Sequence, residues 1–87
     1  MISGLKQVAE KHGITDVRLF GSVARGEATP ESDLDLLVTL PAGMTLWGLA
    51  GAADELSEIA GVRVDLVPEA DLRPAVRERV LAEAVAL

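Results

Sequence analysis

The stretch "LFGSVARGEATPESDLDLLV", residues 19–38, decides how this chain folds. It begins on the end of "DVRLF", residues 16–20, a short and partly alternating segment that reads as a strand. The chain then turns at Gly21, and a short helix is expected to open near Ser22. "GEATPES" gathers Gly, Pro, Thr and Ser and reads as a loop. Residues 33–39 read as a second strand, ended by "LPAG". That strand carries two carboxylates, Asp33 and Asp35, in an otherwise leucine-rich run.

The flanks supply helices. In residues 2–12, Ile2, Leu5, Val8 and Ala9 recur at helical spacing, and Gly13 is placed as a C′ stop. From Thr45 to about Ala60, Leu46, Leu49, Ala53, Leu56 and Ala60 alternate spacings of three and four, with Thr45 as N-cap and Gly61 at the end. "VRVDLV", residues 62–67, reads as a third strand closed by Pro68. A last helix is expected from Leu72 to Ala84, with Pro74 in its first turn, where a missing N–H matters little. The order α-β-α-β-α-β-α predicts an α/β (α+β) fold, in which about three strands form a small mixed sheet flanked by about four helices. The long helix between the second and third strands makes them parallel neighbours with a right-handed crossover, and the shorter first connection favours an antiparallel pair.

Composition narrows the classes. A chain of 87 residues fits a single domain spanning 1–87 with a modest core. Apolar residues make up 49% and charged residues 25%, which suits a folded rather than a disordered chain. No apolar run approaches the roughly 18–20 residues that cross a bilayer. "MISGLKQVAEKHG" lacks the sustained apolar core of a signal peptide, and the sequence has no cysteine, so a cytoplasmic location is expected. The net charge of −6 argues against direct nucleic-acid binding, which needs a basic face. It is compatible with a nucleotide that arrives with divalent metal, with a basic protein partner, or with solubility alone.

The carboxylates carry the chemistry. In a strand, residues i and i+2 share a face with Cα atoms roughly 6.5–7 Å apart. Asp33 and Asp35 therefore point one way, and Leu34 and Leu36 the other. Like charges this close repel, and a cation between them relieves the repulsion. Oxygen ligands of this kind suit magnesium above other metals. Asp65 is again a lone carboxylate among apolar residues, on the strand expected beside the second. Three converging carboxylates would suit two metal ions about 3.5–4 Å apart. The plainer reading is that aspartates at strand ends are simply solvated.

"GSVARG" could serve a phosphate. Gly21 lets the backbone approach a ligand closely, the N–H groups of an opening helix bind anions, and Ser22 adds a hydroxyl donor. Arg25 could meet a phosphate oxygen or fasten the loop to a carboxylate. Ser32 can hydrogen-bond the backbone and fix the loop ahead of the second strand. Neither the lysine of a P-loop nor the third glycine of a dinucleotide fingerprint is present. A phosphate cradle upstream of a metal-binding pair is the apparatus of phosphoryl or nucleotidyl transfer.

Residues 21–38 resemble the G-S-x-A-R-G-x₅-S-D-x-D-[LI]-x-V signature of the minimal nucleotidyltransferases, within the DNA polymerase β-like nucleotidyltransferase superfamily. Gly21, Ser22, Ala24, Arg25, Gly26, Ser32, Asp33, Asp35 and Val38 hold its defining positions, and Asp65 sits where the third carboxylate is expected. "LRPAVRERVLAEAVAL" is similar to the C-terminal helix and tail, so the resemblance spans essentially the whole chain. It implies Asp33 and Asp35 as ligands of two magnesium ions, and Asp65 as ligand of the catalytic one and helper in deprotonating the acceptor. It implies that Gly21 and Ser22 contact the triphosphate of ATP or another nucleoside triphosphate. Small members are often paired with a HEPN-domain toxin, and some act as antitoxins by transferring AMP from ATP to a tyrosine of that partner. Larger relatives add a helical domain that holds the acceptor. This sequence has no such segment, so the resemblance puts the acceptor on another protein, with which the chain could form an oligomer. The rival is a non-catalytic antitoxin that neutralises its partner by docking; three mutually repelling carboxylates favour the enzyme.

Three further features have structural readings. Trp47 is expected to pack in the core or on a helix face, with base stacking or a partner anchor as the alternative. His12 is expected to be solvated. Arg73, Arg77 and Arg79 are expected to form a solvated, carboxylate-paired face of the last helix.

Overall fold

The structure is a computed structural model that describes residues 2–27, 29 and 31–87. The side chains of Ile2 and Ser3, and residues Ala28 and Pro30 of the expected loop, lie outside the described set. Along the chain run α1 (Ile2–Lys11), β1 (Thr15–Phe20), β2 (Leu34–Thr39), α2 (Leu46–Ala60), β3 (Val64–Pro68), a 3₁₀ turn (Glu69–Asp71), α3 (Pro74–Glu83) and β4 (Val85–Ala86). The sheet order is β3-β2-β1-β4. β2 and β3 are parallel, while β1 is antiparallel to both β2 and β4, so the mixed sheet follows expectation.

Two elements depart from it. The sheet has a fourth strand, β4, whose two residues pair with Arg18 and Leu19 of β1. The helix expected after Gly21 is a single turn. Arg25 N–H donates to the Gly21 carbonyl, Gly26 N–H to Val23 and Glu27 N–H to Ser22. The last two bonds, with Gly26 left-handed at φ 74°, form a Schellman stop. The helix is thus ended one turn after it starts, and three α-helices remain among the described residues.

Other helix ends behave as read. Gly13, at φ 76°, closes α1 with bonds from Gly13 N–H to Glu10 and Ile14 N–H to Ala9. Thr45 caps α2 by accepting from Gly48 N–H at 3.1 Å. Gly61 ends the same helix at φ 75°. Pro74 occupies the first turn of α3.

The core lies between the sheet and the α1–α2 pair. Leu5 and Ala9 of α1, Ala52 and Leu56 of α2, Val17, Leu36, Val38, Val64 and Leu66 of the sheet form one buried cluster with Ile14. Alternation sends Leu34, Leu36 and Val38 to that side and leaves Asp35 and Leu37 facing the other. His12 is only half-exposed: its Nε2 meets Glu55 of α2 at 3.1 Å, and Lys11 pairs with the same carboxylate. Trp47 is not in the core either. It is 87% exposed beside Leu46 at 80%, because both sit at the open start of α2, beyond the turn on which Leu49 first packs inward. No helix among the described residues is long and apolar enough to cross a membrane.

Candidate functional site

The parallel register sets Asp35 of β2 opposite Asp65 of β3. The antiparallel register sets Phe20 of β1 opposite Asp35 on the other side. Paired residues share a face, so Phe20, Asp35 and Asp65 form a row across three strands, on the side away from α1 and α2. Asp33 stands just ahead of β2 and is exposed. The ladder begins one residue later than expected, where Leu34 N–H donates to the Arg63 carbonyl at 2.8 Å.

Electrostatics single out Asp35. Partial burial pushes its carboxyl above the ordinary range, and the charges of Asp65 and Asp33 push it further, while Arg25 opposes them. The sequence-predicted trio therefore acts on one point. As they stand, the side chains do not gather into a three-ligand group of metal-holding spacing among the described residues. The chemistry of the donor set nonetheless fits a hard divalent cation, since it offers only carboxylate oxygens in a crowded negative row.

Gly21 is built against this row. Its φ is 79°, and a Cβ there would overlap the Asp35 carboxylate, with Cγ only 3.1 Å away. The following turn leaves the backbone N–H groups of Ser22, Val23 and Ala24 outside its own hydrogen bonds among the described residues. Ser32 does what its position suggests: its Oγ accepts from Thr29 N–H at 2.8 Å and lies 3.3 Å from the Thr29 hydroxyl, fixing the loop. Arg25 points elsewhere than the aspartates. Its guanidinium donates to Glu27 at 3.1 Å and to Glu83 of α3, and these bonds, Glu27 first, raise its pKa.

Sequence reading missed the neighbours of the turn. Phe20, Gly21 and Arg25 share a cavity of about 510 Å³ with Arg79, Val80 and Glu83 of α3. Nothing in a single sequence links Arg25 to Glu83, 58 positions away. A second depression, about 490 Å³, lies at the far end of β2 and contains none of the site residues. There Glu69 is held by Arg18 at 2.7 Å and Arg77 at 3.4 Å, so two of its charged groups are already matched.

Known proteins supply the comparison. Residues 2–87 match the family model of the nucleotidyltransferase domain. A Methanocaldococcus jannaschii protein, provisionally named a protein adenylyltransferase, is 39% identical over 75 residues, covering 86% of this chain and 81% of that one. Protein adenylyltransferase MntA of Thermococcus cleftensis is 35% identical over 80 residues, covering 92% and 81%. A solved structure described provisionally as a minimal nucleotidyltransferase superposes with a TM-score of 0.87 at 48% identity, covering 98% of this chain and 87% of the other. A toxin–antitoxin crystal structure with AMP-PNP shares the fold at a TM-score of 0.83 and 19% identity, covering 97% and 69%.

Proposed function

The chain belongs to the nucleotidyltransferase domain family, among the minimal nucleotidyltransferases, and on that premise we propose that it transfers AMP from ATP to a hydroxyl of a partner protein. The observation that carries this reading is the Phe20–Asp35–Asp65 row with Gly21 packed on Asp35. Asp33, Asp35 and Asp65 are the residues suited to hold two magnesium ions. Such ions supply positive charge to the triphosphate and to the attacking oxygen.

The chain's own groups do the rest. Gly21 lets phosphate approach the carboxylates, and the Ser22 hydroxyl with the N–H groups of the turn donates to phosphate oxygens. Arg25 and Ser32 shape this cradle, Arg25 from the turn through its bond to Glu83 of α3 and Ser32 from the loop. The acceptor oxygen bonds to the α-phosphorus, the bond from that phosphorus to the bridging oxygen breaks, and pyrophosphate leaves. The hydroxyl proton passes to Asp65, which is exposed and can return it to water.

The acceptor in this reading is a tyrosine of a HEPN-domain toxin, and the chain is its antitoxin. Relatives named as protein adenylyltransferases and the shared fold of a toxin–antitoxin structure with AMP-PNP support it. The test uses ATP labelled at the α or the γ phosphorus, with magnesium and a HEPN-domain toxin as the proposed partner. Label from the α position on the partner is expected. Label from the γ position alone would mean phosphoryl transfer and overturn the reading.

A further inference from the structure

We propose that α3 is the second wall of the nucleotide cleft, and that Arg79 on it binds the pyrophosphate end of the triphosphate. The inference rests on the nucleotidyltransferase reading above. Its starting point is the cavity of about 510 Å³ between the Gly21 turn and α3. Gly21 belongs both to that cavity and to the contact with Asp35, so the cavity opens beside the carboxylate row. The bond that breaks lies at the carboxylates. The part of the nucleotide reaching past Gly21 therefore enters the space in front of Arg79.

Charge decides which part that is. The cavity contains two guanidinium groups, Arg25 and Arg79. Arg25 is already matched by Glu27 and Glu83. The Arg79 side chain, like those of Arg63 and Arg73, has no ion pair or hydrogen bond among the described residues, and of these three only Arg79 lines the cavity. Two divalent ions facing three carboxylates leave little charge to balance a triphosphate. An unmatched guanidinium at the next position along the cleft provides it, and its planar fork suits phosphate oxygens. α3 has no buried residue to explain its position by packing, whereas its cavity-facing residues bring the cation to the turn.

The test measures equilibrium binding, without acceptor, of ATP, AMP and inorganic pyrophosphate in the presence of magnesium. Wild type is compared with Arg79→Gln and Arg79→Lys, with thermal midpoints recorded to verify folding. Arg79→Gln is expected to weaken ATP and pyrophosphate by about ten-fold or more, equivalent to about 1.4 kcal/mol, and AMP by less than about two-fold. Arg79→Lys is expected to recover part of the loss, since it restores charge without the fork. Unchanged ATP and pyrophosphate binding in Arg79→Gln overturns this proposal while leaving the parent reading standing. An equal loss for AMP, with pyrophosphate unaffected, also overturns it by moving Arg79 to the nucleoside end. If wild type binds no ATP, both the parent reading and this proposal fall.

Discussion

Asp35 and Asp65 face each other as register partners on adjacent parallel strands. Few arrangements hold two carboxylates so firmly side by side, because the pairing is set by the backbone ladder rather than by side-chain choice. Asp33, ahead of the same strand, adds a third charge acting on Asp35. The sheet imposes the repulsion, and whatever cation or proton relieves it is drawn to that point.

Stability should record this repulsion. Asp35 has a raised pKa when folded, chiefly through burial and then through Asp65 and Asp33. An acid with a higher folded pKa binds more protons folded than unfolded, so stability falls as pH rises from its ordinary value of 3.8 to its folded value. Asp35→Asn removes that loss. Without divalent metal at neutral pH, it should raise the thermal midpoint by about 2–4 °C, a figure that allows for screening by water. Well below the ordinary carboxylate pKa the gain should vanish. A lower midpoint for the variant at neutral pH would mean that the Asp35 charge is not a source of strain in the folded sheet.

Gly21→Ala tests the close approach of the turn to Asp35. Alanine is strained at φ 79°, and its Cβ must displace the Asp35 carboxylate. A stability loss of about 1–3 kcal/mol is expected in denaturant titrations. Transfer activity should fall by about 100-fold, since a shift of roughly 1 Å at a reacting group has that effect. Near-normal activity would mean that Asp35 can work from another position.

Glu83 is read as a positioning residue, tying the Arg25 turn to α3. The pair is partly exposed, so Glu83→Ala should leave the thermal midpoint nearly unchanged. Its expected effect is a rise of about three- to ten-fold in KM for ATP at almost constant kcat, the signature of lost uniform binding. Unchanged kinetics would reduce the pair to a surface contact.

Trp47 lies outside the core at 87% exposure, and it is the sole tryptophan. Its fluorescence should resemble that of tryptophan in water and be fully open to acrylamide. Trp47→Ala should change stability by less than about 0.5 kcal/mol and leave ATP binding intact. A blue-shifted, protected spectrum would return Trp47 to the interior.

The strongest sequence signals were those with local causes. Gly13, Thr45 and Gly61 mark helix ends through their own backbone or side-chain bonds, and the sequence places all three. The shared face of Asp35 and Asp65 was legible because strand period two fixes which residues face away from the core, whereas Asp33 lies ahead of the strand and outside that rule. The missed features depend on distant partners. β4 is two residues long, too short to alternate, and its place depends on pairing with β1. Arg25 was open between phosphate and carboxylate until α3 brought Glu83 to it. The helix expected after Gly21 is cut to one turn by Gly26, a local stop that the sequence already carries. Leu46 opens the apolar spacing of α2, but it and Trp47 stay exposed because the packed part of that helix begins further along.

The most direct test is to incubate the chain with a HEPN-domain toxin as the proposed partner, ATP and magnesium. The mass of the partner and its toxicity are then measured for wild type and for Asp33→Asn/Asp35→Asn. Wild type is expected to add AMP to a partner tyrosine and neutralise it, while the double variant does neither. An unmodified partner with wild type, together with full neutralisation by the double variant, would contradict AMP transfer and make the chain a docking antitoxin.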